Sequence, residues 1–149
     1  MAAPLKYYRV QDNSSATYFD KKNGFIAGDP ELPVRMSPRS DSEYQNLFEA
    51  LDRHLDWYDR TPSPFISVYA DLETAENCAI ARAKKGKKGV IVAHINVKRT
   101  GGLSYRCVPK LADAIGLEIP PRASRNAEEE FIFLHRIPAE AVTEYAYFK

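Results

Sequence analysis

Apolar and polar positions divide the chain into segments of two periods. "LKYYRV", Leu5 to Val10, alternates as a first strand. The stretch from Gln11 to "MSPRSDS" is turn-rich and polar, broken only by an apolar pulse at Gly24 to Ala27. From Tyr44 the period changes, because Tyr44, Leu47, Phe48, Leu51, Leu55 and Tyr58 recur at three-and-four spacing. That pattern predicts an amphipathic helix, which Ser42 can cap. "RTPSP" interrupts the chain before a strand at Phe65 to Tyr69. Asp71 is placed to cap a second helix, "LETAENCAIARAKK", and the lysines and glycines of "KKGKKG" stop it. "GVIVAHINV" reads as a buried strand. There follow a loop at "KRTGGLS", a short helix around "VPKLADAIG" with Pro109 in its first turn, and a loop rich in Pro, Arg and Ser. A strand at Phe131 to Leu134, the "IPAEAV" turn and a last strand, "TEYAYF", end the chain. Strands dominate the second half and there is no internal repeat. The expected class is therefore α+β, with a split mixed sheet, largely antiparallel, and flanking helices in a single domain over 1–149.

Composition narrows the function classes. The 149 residues can bury a proper core, and 44% hydrophobic with 28% charged residues is usual for a globular domain. A formal net charge of +1 lacks the electrostatic footprint of a dedicated nucleic-acid binder. "MAAPLKYYRV" has no apolar signal core, and no apolar run approaches a membrane span. The expected compartment is the cytoplasm, with no membrane partner. Cys78 and Cys107 lie on separate predicted elements without metal-ligand spacing, which leaves them to packing.

Chemistry concentrates in a few places. Arg9 stands alone in an aromatic strand, and Ser67 sits inside an otherwise apolar and aromatic one. In "NAEEEFIFLHRIP" three glutamates run into an apolar strand, where like charges repel and gain nothing from their neighbour. Read as strand, the alternation puts Glu128 and Glu130 on one side and Glu129 on the other. Each feature alone has a structural reading: an outward strand arginine, a serine bonded to backbone, and a charged edge that blunts aggregation. "KKGKKG" reads as a solvated helix end, since no Walker or Rossmann pattern accompanies it. No nucleophile elbow is present, and His54, His94 and His135 show no triad or metal spacing.

In order, "YYRVQDNSSATYF" with "NGFIAGD", "SPFISVYADLETAENCA" and "EEEFIFLHRIPAEAV" resemble the mono-ADP-ribosyltransferases of the Arg-Ser-Glu class. These include the catalytic subunits of cholera toxin and heat-labile enterotoxin and the pierisins; the nearest likeness is to fungal enterotoxin-like domains. The resemblance implies NAD as substrate, no metal, and a toxin-like transferase. It sets Arg9 in the place of the family arginine, which grips the dinucleotide phosphates, with the Arg9-Val10 backbone holding the nicotinamide amide. It sets Ser67 as the serine that orients the catalytic Glu130 and the ribose, with Glu128 as general base towards the acceptor. Tyr69 offers a hydroxyl and an aromatic face to the cofactor, and His54 matches a histidine of the enterotoxin branch. The family's Ser-Thr-Ser reads Ser67-Val68-Tyr69 here, so its second and third hydroxyls are missing. Glu-x-Glu accompanies arginine acceptors in this family, so a protein arginine is the first acceptor expected, with DNA or RNA as others. The acceptor would be chosen by the loop from Gly116 to Asn126. Two further expectations stand beside transfer: NAD hydrolysis alone, and a non-catalytic module that keeps the fold.

Overall fold

The computed structural model describes residues 4–56, 58–121 and 127–149. Strands β1 (Lys6–Gln11), β4 (Phe65–Tyr69), β5 (Val90–Asn96), β6 (Tyr105–Cys107), β7 (Glu130–Leu134) and β9 (Val142–Phe148) form a six-stranded sheet in the order β6-β7-β4-β1-β5-β9. Strands β2 (Tyr18–Asp20), β3 (Gly24–Ile26) and β8 (Arg136–Ile137) form a second, three-stranded sheet. Every strand pair described is antiparallel. Among the described residues, helices α1 (Asp41–Leu55), α2 (Leu72–Lys84) and α3 (Val108–Ala114) flank the larger sheet. This is the α+β arrangement with a split sheet that the sequence patterns predict.

Strand alternation decides what each face covers. Val10, Val90 and Val92 pack on Ala75 and Ala79 of α2, while Phe65 and Ile132 pack on Leu47, Leu51 and Leu55 of α1 and on Val108 and Leu111 of α3. The intervening residues Ile66, Val68, Ala93, Ile95 and Phe133 point the other way, onto Phe25 and Ile137 of the smaller sheet. β5 is covered on both faces, which explains its unbroken apolar run. The sheet is continuous on either side of one weak seam. β1 pairs with β5 from Lys6 to Gln11 but with β4 only at Tyr8↔Tyr69, so the two strands part at Arg9.

Several local expectations are corrected. The first helix is capped by Ser40, not Ser42: Ser40 Oγ accepts from the Glu43 N–H at 3.2 Å, and Glu43 reaches back to the Arg39 N–H at 2.8 Å. That helix closes at Leu55, where Asp56 turns extended, so Tyr58 lies beyond it and is exposed. The turn-rich stretch after Gln11 holds strands β2 and β3, and β6 and β8 are likewise too short to carry a period. His135 lies outside any strand. It takes φ 66° at the bend between β7 and β8, and its Nε2 is 2.7 Å from the Leu32 carbonyl oxygen. Residues 127–129 form a 3-10 turn instead of strand, and β7 begins at Glu130. Hence the alternation that put Glu128 and Glu130 on one strand face does not apply. Of the loop from Gly116 to Asn126, residues 122–126 lie outside the described residues.

Candidate active site

The parting of β1 from β4 creates the site. Past Tyr8 the edge of β1 at Arg9-Val10 has no strand partner on that side, and the Arg9 side chain occupies the gap. Its Nη1 donates to the Ser67 carbonyl at 2.9 Å, while Nε and Nη2 donate to Gln11 Oε1 at 3.0 and 2.8 Å. Gln11 lies two residues along the same strand, hence on the same face. Its amide in turn donates to the Thr17 carbonyl, which ties the loop after β1 to the arginine. These contacts engage three of the five guanidinium donors, leaving two N–H groups for a ligand.

Ser67 joins the arginine to an acid. On the face of β4 opposite Ile66 and Val68, its hydroxyl donates to Glu130 Oε2 at 2.7 Å. The β4–β7 register sets this reach, since Ser67 pairs with Ile132 and Tyr69 with Glu130. The Ala70 N–H, donating to the Glu129 carbonyl at 2.7 Å, extends the ladder into the 3-10 turn. From the last turn of α1, His54 Nε2 lies 2.6 Å from Ser67 Oγ, and its Nδ1 lies 2.6 Å from Ser63 Oγ. Phe65 supports the imidazole edge-on, with ring centroids 5.6 Å apart.

Burial sets the electrostatics. Arg9 and Glu130 are each 9% exposed. Burial raises the Glu130 carboxyl above its usual range, against the opposing pull of the Ser67 hydrogen bond and the Arg9 charge. Burial likewise lowers Arg9 to about 10, helped by the charge of Arg82. His54 is lowered to about 4 by burial and then by Arg9, so near neutral pH the imidazole carries no charge. A buried cation, an acid destabilised as its anion and a neutral histidine thus surround one serine.

Of the residues singled out from sequence, Arg9, His54, Ser67 and Glu130 meet here. Val10 turns its buried side chain to α2, leaving only its backbone to the gap. Tyr69 also packs with the α2 cluster; burial first, then Cys78 and Glu130, raises its phenol. Glu128 is exposed on the 3-10 turn. Gln11, Thr17 and Ser63 join the site without a motif to announce them. Gln11 was legible as the i+2 neighbour of Arg9, and Ser63 as the lone hydroxyl between Pro62 and Pro64. A cavity of about 340 Å³ lies beyond Gln11, with Thr17, Tyr18, Ile91 and Tyr147 among its walls. Neither it nor a smaller one beside Phe19 and Tyr145 reaches Ser67 or Glu130. No helix among the described residues is long and apolar enough to cross a membrane.

The largely antiparallel split sheet and its flanking helices are consistent with an ADP-ribosyltransferase-like fold. The solved structure EcPltA shares it, matching 95% of this chain and 74% of its own with a TM-score of 0.55 and 14% identity. The chain belongs to the family described as Domain of unknown function (DUF7587), whose profile matches residues 2–148. No curated protein matches it.

Proposed function

We propose that this domain binds NAD and breaks its nicotinamide–ribose bond, passing ADP-ribose to an acceptor or to water. The observation that carries the reading is the Ser67–Glu130 hydrogen bond of 2.7 Å beside a buried arginine that holds the same serine's carbonyl. As the glycosidic C–N bond breaks, its electron pair leaves with nicotinamide and positive charge develops on the ribose. A carboxylate fixed beside that ribose stabilises the transition state more than the ground state. Glu130 has that role and accepts from the ribose 2′-hydroxyl; Ser67 holds it in place. The two spare donors of Arg9 meet the dinucleotide phosphates, and the unpaired edge at Arg9-Val10 takes the nicotinamide amide. Glu128, exposed ahead of the strand, takes the proton of the attacking nucleophile. A protein guanidinium is the first acceptor in this reading, a nucleic-acid base the next, and water accounts for NAD hydrolysis.

A second reading, a non-catalytic module on the same fold, is favoured by one feature: Gln11 already occupies the Nε edge of Arg9. Free nicotinamide released from NAD separates the two. The enzyme reading expects release that falls on the order of a hundredfold in Glu130→Gln. Release unchanged in that variant removes Glu130 from the chemistry, and neither release nor calorimetric NAD binding in the parent protein leaves the module. Mass spectrometry of lysate incubated with labelled NAD identifies the acceptor.

A further inference from the structure

His54 and Ser63 form a directed relay behind the Ser67–Glu130 pair. Four hydrogen bonds run in series: the Phe65 N–H donates to Ser63 Oγ at 3.0 Å, Ser63 Oγ lies 2.6 Å from His54 Nδ1, His54 Nε2 lies 2.6 Å from Ser67 Oγ, and Ser67 Oγ donates to Glu130 Oε2 at 2.7 Å. Each hydroxyl has one proton and each neutral imidazole has one N–H, so the two ends together set the direction of the whole.

At the Glu130 end an ionised carboxylate only accepts, so the Ser67 proton is committed to it. The Ser67 oxygen must then accept from His54, which puts the imidazole proton on Nε2. At the other end Nδ1 accepts, and Ser63 donates to it while accepting from the Phe65 N–H. All groups are satisfied in this direction. In the reverse direction Glu130 is protonated, Nδ1–H donates to Ser63, and Ser63 receives two donors at once. Its own proton then has no partner among the contacts described. The backbone keeps Ser63 within reach of the imidazole, because Pro62 and Pro64 restrict the chain on both sides and the Ser63 carbonyl accepts from the Asp29 N–H at 2.9 Å.

We infer that Ser63 is a positioning residue that holds His54 as its Nε2–H tautomer and so keeps the Ser67 hydroxyl aimed at Glu130. A part in turnover rests on the NAD chemistry proposed above; the direction of the relay does not. The low proton affinity of His54 agrees with a neutral ring held by two hydroxyls. The acid end of the relay has Arg9 as its charged neighbour.

Long-range ¹H–¹⁵N correlation of the His54 ring in the full chain near neutral pH tests this directly. The wild type is expected to show Nδ1 unprotonated and Nε2 protonated. Ser63→Ala leaves only the acid end, whose anion burial disfavours, so it should convert this to a mixture of tautomers, and Ser63→Thr, which keeps the hydroxyl, should restore it. Where NAD cleavage is measurable, Ser63→Ala should lower kcat on the order of tenfold or more with KM little changed, since positioning acts on reaction geometry. A wild-type ring protonated on Nδ1 overturns the inference even if no variant folds. So does Ser63→Ala retaining a single Nε2–H tautomer. A wild-type Nε2–H ring that Ser63→Ala disturbs supports the relay whether or not nicotinamide is released, so its failure and that of the NAD reading are read separately.

Discussion

Replacing Gln11 by Leu removes the acceptor that holds the Arg9 fork while nearly conserving volume. Gln11 is 7% exposed and Arg9 9%, so water does not readily replace what is lost. Two donors of a buried cation, at 3.0 and 2.8 Å from Gln11 Oε1, lose their partner together. Hydrogen bonds to charged groups contribute about 1.5–3 kcal/mol each, and unpaired buried donors cost a similar amount. The Thr17 carbonyl also loses the Gln11 amide, which frees the loop after β1. A loss of about 3–5 kcal/mol is expected, a large share of the roughly 5–15 kcal/mol that keeps a domain folded. Equilibrium urea unfolding of wild type, Gln11→Leu, Arg9→Met and the double variant measures both the loss and its origin. The double variant should cost clearly less than the sum of the singles, with a coupling of about 2 kcal/mol or more, because each single leaves the other group stranded. Additive singles, or a Gln11→Leu cost under about 1 kcal/mol, would refute the claim that Gln11 is the principal partner of Arg9.

Three other outcomes follow from the same structure. Because burial raises Glu130, its ionised form opposes folding at pH above its unfolded value, so Glu130→Gln should melt no lower than wild type at pH 7 by calorimetry; a clearly lower Tm contradicts that. His54 has the opposite linkage: with a folded value of about 4 against 6.5 unfolded, the unfolded chain binds more protons between them, so stability rises with pH across that window. Lowering pH from 7 to 5 should remove up to about 2 kcal/mol attributable to His54, and urea midpoints of His54→Gln should lack that part of the slope. Gly24 has φ 76°, and an added Cβ would stand 2.1 Å from the Ile137 carbonyl oxygen and 2.7 Å from the Ala139 nitrogen, so Gly24→Ala should cost about 2 kcal/mol or more; a denaturation midpoint within error of wild type would show that β3 can shift away from β8.

Long periodic segments were the legible part of this fold. The α2 cap at Asp71, the β4 bounds and the β5 run follow from propensity and alternation over many residues. The strands of the smaller sheet did not, since two or three residues carry no period and their pairing is decided by distant partners such as Phe25↔Ile137. At the site, residue types in chain order pointed to Arg9, Ser67 and Glu130, yet what surrounds them was set by register. The 3-10 turn over 127–129 keeps Glu128 off the strand, which begins at Glu130, and one seam between β1 and β4 gives Arg9 its place. Ser63 and Gln11 carry only a weaker signal, because a serine between prolines and a glutamine two residues past Arg9 are ordinary until their partners are known.

Two acid–arginine neighbourhoods in this chain separate structural use from functional use. Asp12 lies 3.1 Å from Arg82, and although burial pushes its carboxyl up, hydrogen bonds from Ser14 and the Arg82 charge bring it below the usual range. That carboxylate is held as an anion and supports the folded state. Glu130 has a serine donor and an arginine nearby too, but burial outweighs both, so its anion is unfavourable where it stands. An acid kept for stability alone would be expected to gain donors until its charge was satisfied, as Asp12 has. An acid kept to meet positive charge that arises only when a bond breaks gains from being left partly unsatisfied beforehand, because the unmet interaction is then available to the transition state. Both carboxylates lie close enough to Arg9 to interact with its charge, yet only one is satisfied. That contrast is the physical reason to read Asp12 as part of the frame and Glu130 as part of the proposed chemistry.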